Sequence, residues 1–152
     1  MVKMLSEHFS LDEFVFSQTA ARRGIDNTPD AQAMRNLRAL AVTLEQVRTA
    51  LNDSPILISS GYRSAALNRA IKGARNSAHL NGRAVDFTAP RFGTVLQTAK
   101  AVGASGISYD QVIYEFGRWV HLAIAEPGDL ARAEQWSTMS AGVYRPGLRN
   151  VA

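Results

Sequence analysis

The chain has no cysteine. That excludes a disulfide framework, a thiol nucleophile and a thiolate metal site together, so any metal must be held by His, Asp or Glu. Histidine is itself scarce, with only His8, His79 and His121. No stretch approaches the roughly 20 apolar residues of a membrane span, and the opening "MVKMLSEHFS" lacks the apolar core, about 7–15 residues long, of a secretory signal. The expectation is a chain made in the cytoplasm, with no membrane span. Internal repeats, low-complexity tracts and linkers are also missing, which predicts one domain over residues 1–152. Lys and Arg are scattered rather than clustered, and no recognised nucleic-acid motif occurs, so a nucleic-acid partner is not expected.

What is present is ordinary in amount. The 152 residues are 46% hydrophobic and 20% charged, enough to bury a real core. A formal net charge of +4 favours polyanionic partners: nucleic acid, acidic membrane or cell-wall polymer. Composition does not choose among these.

Periodicity supplies the elements. Ser10 followed by Glu13 fits a capping box, predicting a helix from there to Gly24. Met34, Leu37, Leu40, Ala41, Leu44, Val47 and Leu51 recur at steps of three and four, predicting a helix over about 30–52. "ILISS" (56–60) reads as a short buried strand, "SAALNRAI" as a short helix, "RAVDFTA" as a strand and 91–103 as a helix. "DQVIYE" and "RWVHLAI" flank a short turn containing Gly117, the signature of a β-hairpin. From Glu126 onward, Gly and Pro interrupt the pattern and no element is assigned. Helices and strands mix without regular alternation, so the fold class is α+β, with a small, mainly antiparallel sheet and helices packed on one face.

Side-chain alternation then marks candidate functional residues. In the 84–88 strand, Val85 and Phe87 share one face, leaving Ala84, Asp86 and Thr88 on the other. Val120 and Leu122 form an apolar face that leaves Trp119 and His121 opposite, and Val112 with Tyr114 leaves Ile113 and Glu115 opposite. A three-residue loop, 116–118, with Gly117 left-handed would set Glu115 and His121 on the same face. Three strands thus offer Asp86, Glu115 and His121 on their non-core faces, and His79 stands in the loop before the first of them. Aspartate is depleted in strands and costly to bury without partners, so Asp86 asks for a reason. Two imidazoles and a carboxylate are a common catalytic zinc set, with a further carboxylate serving as base. Taken singly, each residue also has an ordinary structural explanation, and spacing alone leaves both readings open.

"SSGYRSAALNRAIKGARNSAHLNGRAVDF" followed by "YEFGRWVHLAI" resembles the zinc D-Ala-D-Ala carboxypeptidase and L-alanyl-D-glutamate endopeptidase superfamily, whose fold is shared with the hedgehog signalling domain. The family pattern S-x-H-x-x-G-x-A-x-D is matched by Ser77, His79, Gly82, Ala84 and Asp86. W-x-H is matched by Trp119 and His121, and G-Y-R-S by Gly61, Tyr62, Arg63 and Ser64. The opening "HFSLDEF" resembles the small phage and prophage branch. The resemblance implies one zinc ion on His79, Asp86 and His121. It departs at one point: many members carry the catalytic Glu or Asp three residues before the last histidine, where this chain has Arg118. Other branches place a Glu six residues before it, and Glu115 stands there.

The expected activity is a zinc metallopeptidase of peptidoglycan stem peptides, with Glu115 as base and then acid. Arg63 is expected to stabilise the oxyanion or hold a substrate carboxylate, with Ser77 and Trp119 as further substrate-binding candidates. The expected setting is a monomeric single catalytic domain acting on the cell wall, such as an endolysin released by a holin or a virion component. The rival is a non-catalytic, zinc-stabilised wall-binding module of the same fold.

Overall fold

The architecture joins a six-stranded sheet to one long α-helix and several shorter ones. The computed structural model describes residues 1–151. The long helix, α3 (Ala31–Ala50), begins where the Asp30 side chain accepts the Ala33 N–H at 2.8 Å. Its stripe is buried as the spacing predicts: Leu37, Leu40, Ala41, Leu44, Val47 and Leu51 have no solvent exposure, while Met34 is only partly covered. These residues join Val85, Phe87, Val112, Tyr114, Val120 and Leu122 of the sheet in one apolar cluster. Each large side chain so buried contributes on the order of 1.5–3 kcal/mol.

The strands are β1 (Leu57–Ser60), β2 (Ala84–Thr88), β3 (Gln111–Glu115), β4 (Trp119–Ala123), β5 (Glu134–Ser140) and β6 (Val143–Pro146). They lie in the order β1-β2-β4-β3-β5-β6. Every pairing is antiparallel except β3 with β5. The remaining helices are α1 (Leu11–Val15), α2 (Gln18–Arg23), α4 (Ala65–Ala70) and α5 (Val95–Gly103). α5 packs on β3 and β4. The α+β class and the mainly antiparallel sheet are as the sequence indicated.

Three local expectations are corrected. The helix expected over 10–24 is broken into α1 and α2, because the carbonyls that would continue it are used elsewhere. Phe14 O accepts the Tyr62 N–H at 2.7 Å, and Val15 O accepts Asn27 Nδ2 at 2.8 Å. Ser17 then starts α2 afresh, its Oγ accepting the Ala20 N–H at 3.2 Å. The "ILISS" strand is only partly buried, because it lies at the sheet edge: Ile56 is in the core but Leu57 is 55% exposed. The 91–103 helix starts only at Val95, where Thr94 and Gln97 cap each other. The unassigned tail supplies β5 and β6. Most of their residues are half-buried or exposed, so no strong apolar alternation announced them.

Gly82 ties this scaffold to the segment that carries His79. It ends a short 3-10 turn (Ala78–Asn81) with φ of 71°, and a Cβ there would stand 2.8 Å from the Ala33 carbonyl of α3. Gly82→Ala is therefore expected to lower the unfolding free energy by about 1–3 kcal/mol, measured by urea denaturation. Unchanged stability would show that neither the left-handed backbone nor the close approach to α3 constrains this position.

Candidate functional site

The site grows out of strand alternation. Val85 and Phe87 are wholly buried in the core, so Asp86 between them projects from the opposite face of the sheet. β2 pairs with β4 so that Asp86 lies directly across from His121. His79 arrives from the 3-10 turn, whose first residue is preceded by Ser77, the Ser77 Oγ accepting the His79 N–H at 3.3 Å. The Gly82 bend then returns the chain into β2.

Asp86 Oδ1 stands 3.0 Å from His121 Nδ1 and 3.3 Å from His79 Nε2. The two imidazoles meet edge to face with ring centres 5.1 Å apart. On its far side, His79 Nδ1 donates to the Gly61 carbonyl at 2.7 Å, which orients the ring and turns Nε2 toward the site. All three residues are buried, at 2%, 5% and 8% exposure for His79, Asp86 and His121. One donor atom from each lies within 4.8 Å of the others. Two nitrogens and a carboxylate oxygen, converging with one imidazole already oriented by a backbone carbonyl, suit a single divalent ion.

The electrostatics follow from this packing. Burial pushes the Asp86 carboxyl upward, but the charge and hydrogen bonds of His79 and His121 outweigh it and hold it well below the usual carboxylate range. Burial lowers His79, and the neighbouring carboxylate only partly offsets that. Burial also acts against the charged form of His121, yet the Asp86 hydrogen bond and the charges of Asp86 and Glu115 leave its pKa raised. Asp86 thus stays ionised although it is almost wholly buried.

The other predicted residues gather around the same point. The hairpin loop is 116–118, with Phe116 and Gly117 both left-handed at φ of 56° and 67°. Glu115 therefore pairs with Trp119, Ile113 pairs with His121, and Glu115 lies diagonal to His121 on the shared face. Trp119 Nε1 donates to Glu115 Oε2 at 2.9 Å, and the Trp119 ring meets Phe116 edge-on at 5.4 Å. Burial raises the Glu115 pKa, the charge of Asp86 adds to this, and His121 opposes it. Arg63 places Nη2 3.7 Å from Asp86 Oδ2 and is steadied by Ser60 Oγ at 3.4 Å and Asn68 Oδ1 at 3.2 Å. Its guanidinium pKa is lowered by burial, with Asp86 and Glu115 opposing. Ser77 caps the His79 turn while also lining the cleft.

These groups line one open cleft of about 1000 Å³. Sequence reasoning missed part of its wall: Asp110, Arg132, Glu134, Trp136 and Tyr144 also border it. Four of those five come from the stretch after Glu126 that carried no assignable pattern. Arg132 grips Asp110 through two guanidinium bonds, of 3.0 and 2.7 Å, and a backbone N–H bond of 3.1 Å.

The Peptidase M15 family profile matches residues 7–123 of the chain. A segment of 59 residues is 37% identical to the zinc D-Ala-D-Ala carboxypeptidase of Streptomyces albus G. That segment is 39% of this chain and 23% of the relative, so less than a quarter of the relative's length is matched.

The donor set predicts one divalent ion bound per chain, with His79→Ala or His121→Ala weakening its affinity on the order of 100-fold or more. Isothermal titration of zinc into chelator-stripped protein checks this. Unchanged affinity in both variants would remove these residues as ligands.

Proposed function

The chain belongs to the peptidase M15 family, and from that premise we propose that it is a zinc-dependent peptidase hydrolysing an amide bond in peptidoglycan stem peptides. The observation that carries the proposal is the convergence of His79, Asp86 and His121 with Glu115 in one cleft. The nitrogen and oxygen donor set fits zinc, and zinc and a D-Ala-D-Ala substrate are named in the Streptomyces relative. When bound, zinc would act as a Lewis acid, polarising the scissile carbonyl and making a water nucleophilic near neutral pH.

The chain's own side chains divide the remaining work. Glu115 sits in a half-dry position, one carboxylate oxygen held by the Trp119 indole. Burial favours its neutral form, so it can accept the proton of the attacking water and then release it to the departing amine. Arg63 brings a positive charge to the edge of the site, held by Ser60, Asn68 and Asp86. That guanidinium can hold the substrate carbonyl oxygen as negative charge develops on it, or hold a peptide carboxylate. Trp119 fixes Glu115 and walls the cleft, and Ser77 positions His79.

The net charge of +4 suits an anionic wall, and the "HFSLDEF" opening supports a place in the small phage or prophage branch. On this reading, residues 1–152 act as a single catalytic domain on the wall, as a lysin or a virion-borne hydrolase.

Purified peptidoglycan incubated with the zinc-loaded protein should release new amino and carboxyl ends, identified by mass spectrometry, and a chelator should stop that release. No chelator-sensitive ends would sink the enzyme reading. Glu115→Ala is expected to slow cleavage by about 10²–10⁴-fold while zinc content stays at one per chain. Zinc retained together with undiminished cleavage would exclude Glu115 as the base. Zinc and wall binding with no cleavage even in the parent protein would instead indicate the non-catalytic wall-binding module.

A further inference from the structure

The family match ends at residue 123, with the last residue of β4, but the cleft does not end there. β5 adds to the free edge of β3 in parallel register, pairing Ile113 with Trp136 and Glu115 with Thr138. Paired residues share a face, so Trp136 emerges on the side that carries Ile113 and Glu115. β6 then adds to β5, with Arg145 opposite Ser137, which faces the core side with Tyr114. Alternation returns Tyr144, one residue before Arg145, to the cleft side. The cleft lining agrees, containing both Trp136 and Tyr144 beside His79, Asp86, Glu115 and His121.

Tyr144 is 50% exposed, a large aromatic surface left open beside the candidate active site. Partial burial keeps its hydroxyl protonated, with the charges of Glu115 and Asp86 adding to the effect. Such a hydroxyl can serve as a donor to a substrate oxygen. A neutral carbonyl is the matching acceptor.

We propose that Trp136 and Tyr144, supplied by the hairpin beyond the family-matched segment, form a substrate subsite. The two rings flank the peptide chain next to the scissile bond, and the Tyr144 hydroxyl donates to one of its backbone carbonyls. The subsite rests on the peptidase reading for its substrate but not for its binding role. Tyr144 is here a substrate-binding residue, separate from the groups that move protons.

The test uses zinc-loaded protein and stem peptide purified from peptidoglycan. Tyr144→Phe removes one donor and keeps the ring, and it should lower kcat/KM about tenfold; Tyr144→Ala should lower it further. In the Glu115→Ala background, calorimetry should show the same order of weakening in equilibrium affinity for the uncut peptide. Thermal midpoint and zinc content should not move. Both Tyr144 variants keeping kcat/KM and affinity within about twofold of their parents would overturn the subsite. A parent protein that binds the peptide in a Tyr144-dependent way without cutting it would sink the peptidase reading and leave the subsite standing. A parent that neither binds nor cuts would end both.

Discussion

One carboxylate in the middle of a strand sets the terms for the rest of the site. Removing a single anion from water costs several kcal/mol unless its charge is met, and Asp86 is nearly inaccessible. Its Oδ1 is shared between His79 and His121, and its Oδ2 faces Arg63. Those three partners come from three separate pieces of chain, so the surrounding elements must be held in register. β4 must pair with β2 so that His121 falls opposite Asp86. The 3-10 turn must return at Gly82, and Gly61 must offer its carbonyl to the back of His79. Gly61 is in turn pressed against the backbone of Phe14, and Tyr62 is hydrogen-bonded to it, so even α1 helps to place the imidazole.

Such a cluster is poorly explained as a source of stability. A buried pair of this kind often contributes less than a well-packed apolar replacement would, and the strand already has Val85 and Phe87 to anchor it. Arg63 points the same way, since a guanidinium drawn into a largely buried position beside a carboxylate loses much of its hydration. An arrangement costly to the fold and oriented from behind by a backbone carbonyl is what a metal site needs, because the ligands must be anionic or neutral and fixed before the ion arrives.

How much of this was legible in the sequence depended on how local each signal was. The α3 stripe was readable because seven residues at helical spacing need no knowledge of their partners. The faces of Asp86, Glu115 and His121 were readable because strand alternation is strict and a three-residue loop fixes parity. The break at Phe16 and Ser17 was not, because it depends on Tyr62 and Asn27 taking carbonyls that a local reading assigns to the helix. β5 was hidden for a similar reason. It pairs in parallel with β3, so it owes its place to a distant strand, and its outward residues Glu134 and Trp136 face a cleft rather than a core.

The hairpin also sets which of its side chains faces the site. Arg118 occupies the position three residues before His121, but it lies in the loop and is solvent-exposed, its N–H bonded to the Glu115 carbonyl at 3.0 Å. Its side chain does not line the cleft. Glu115 reaches it across the ladder instead, because the left-handed backbone at Phe116 and Gly117 closes the loop in three residues and preserves the shared face. A loop one residue shorter or longer would turn Glu115 toward the core side, where Tyr114 now points. The carboxylate's place near His79, Asp86 and His121 is therefore set by turn parity, and the Trp119 hydrogen bond then orients it within that place.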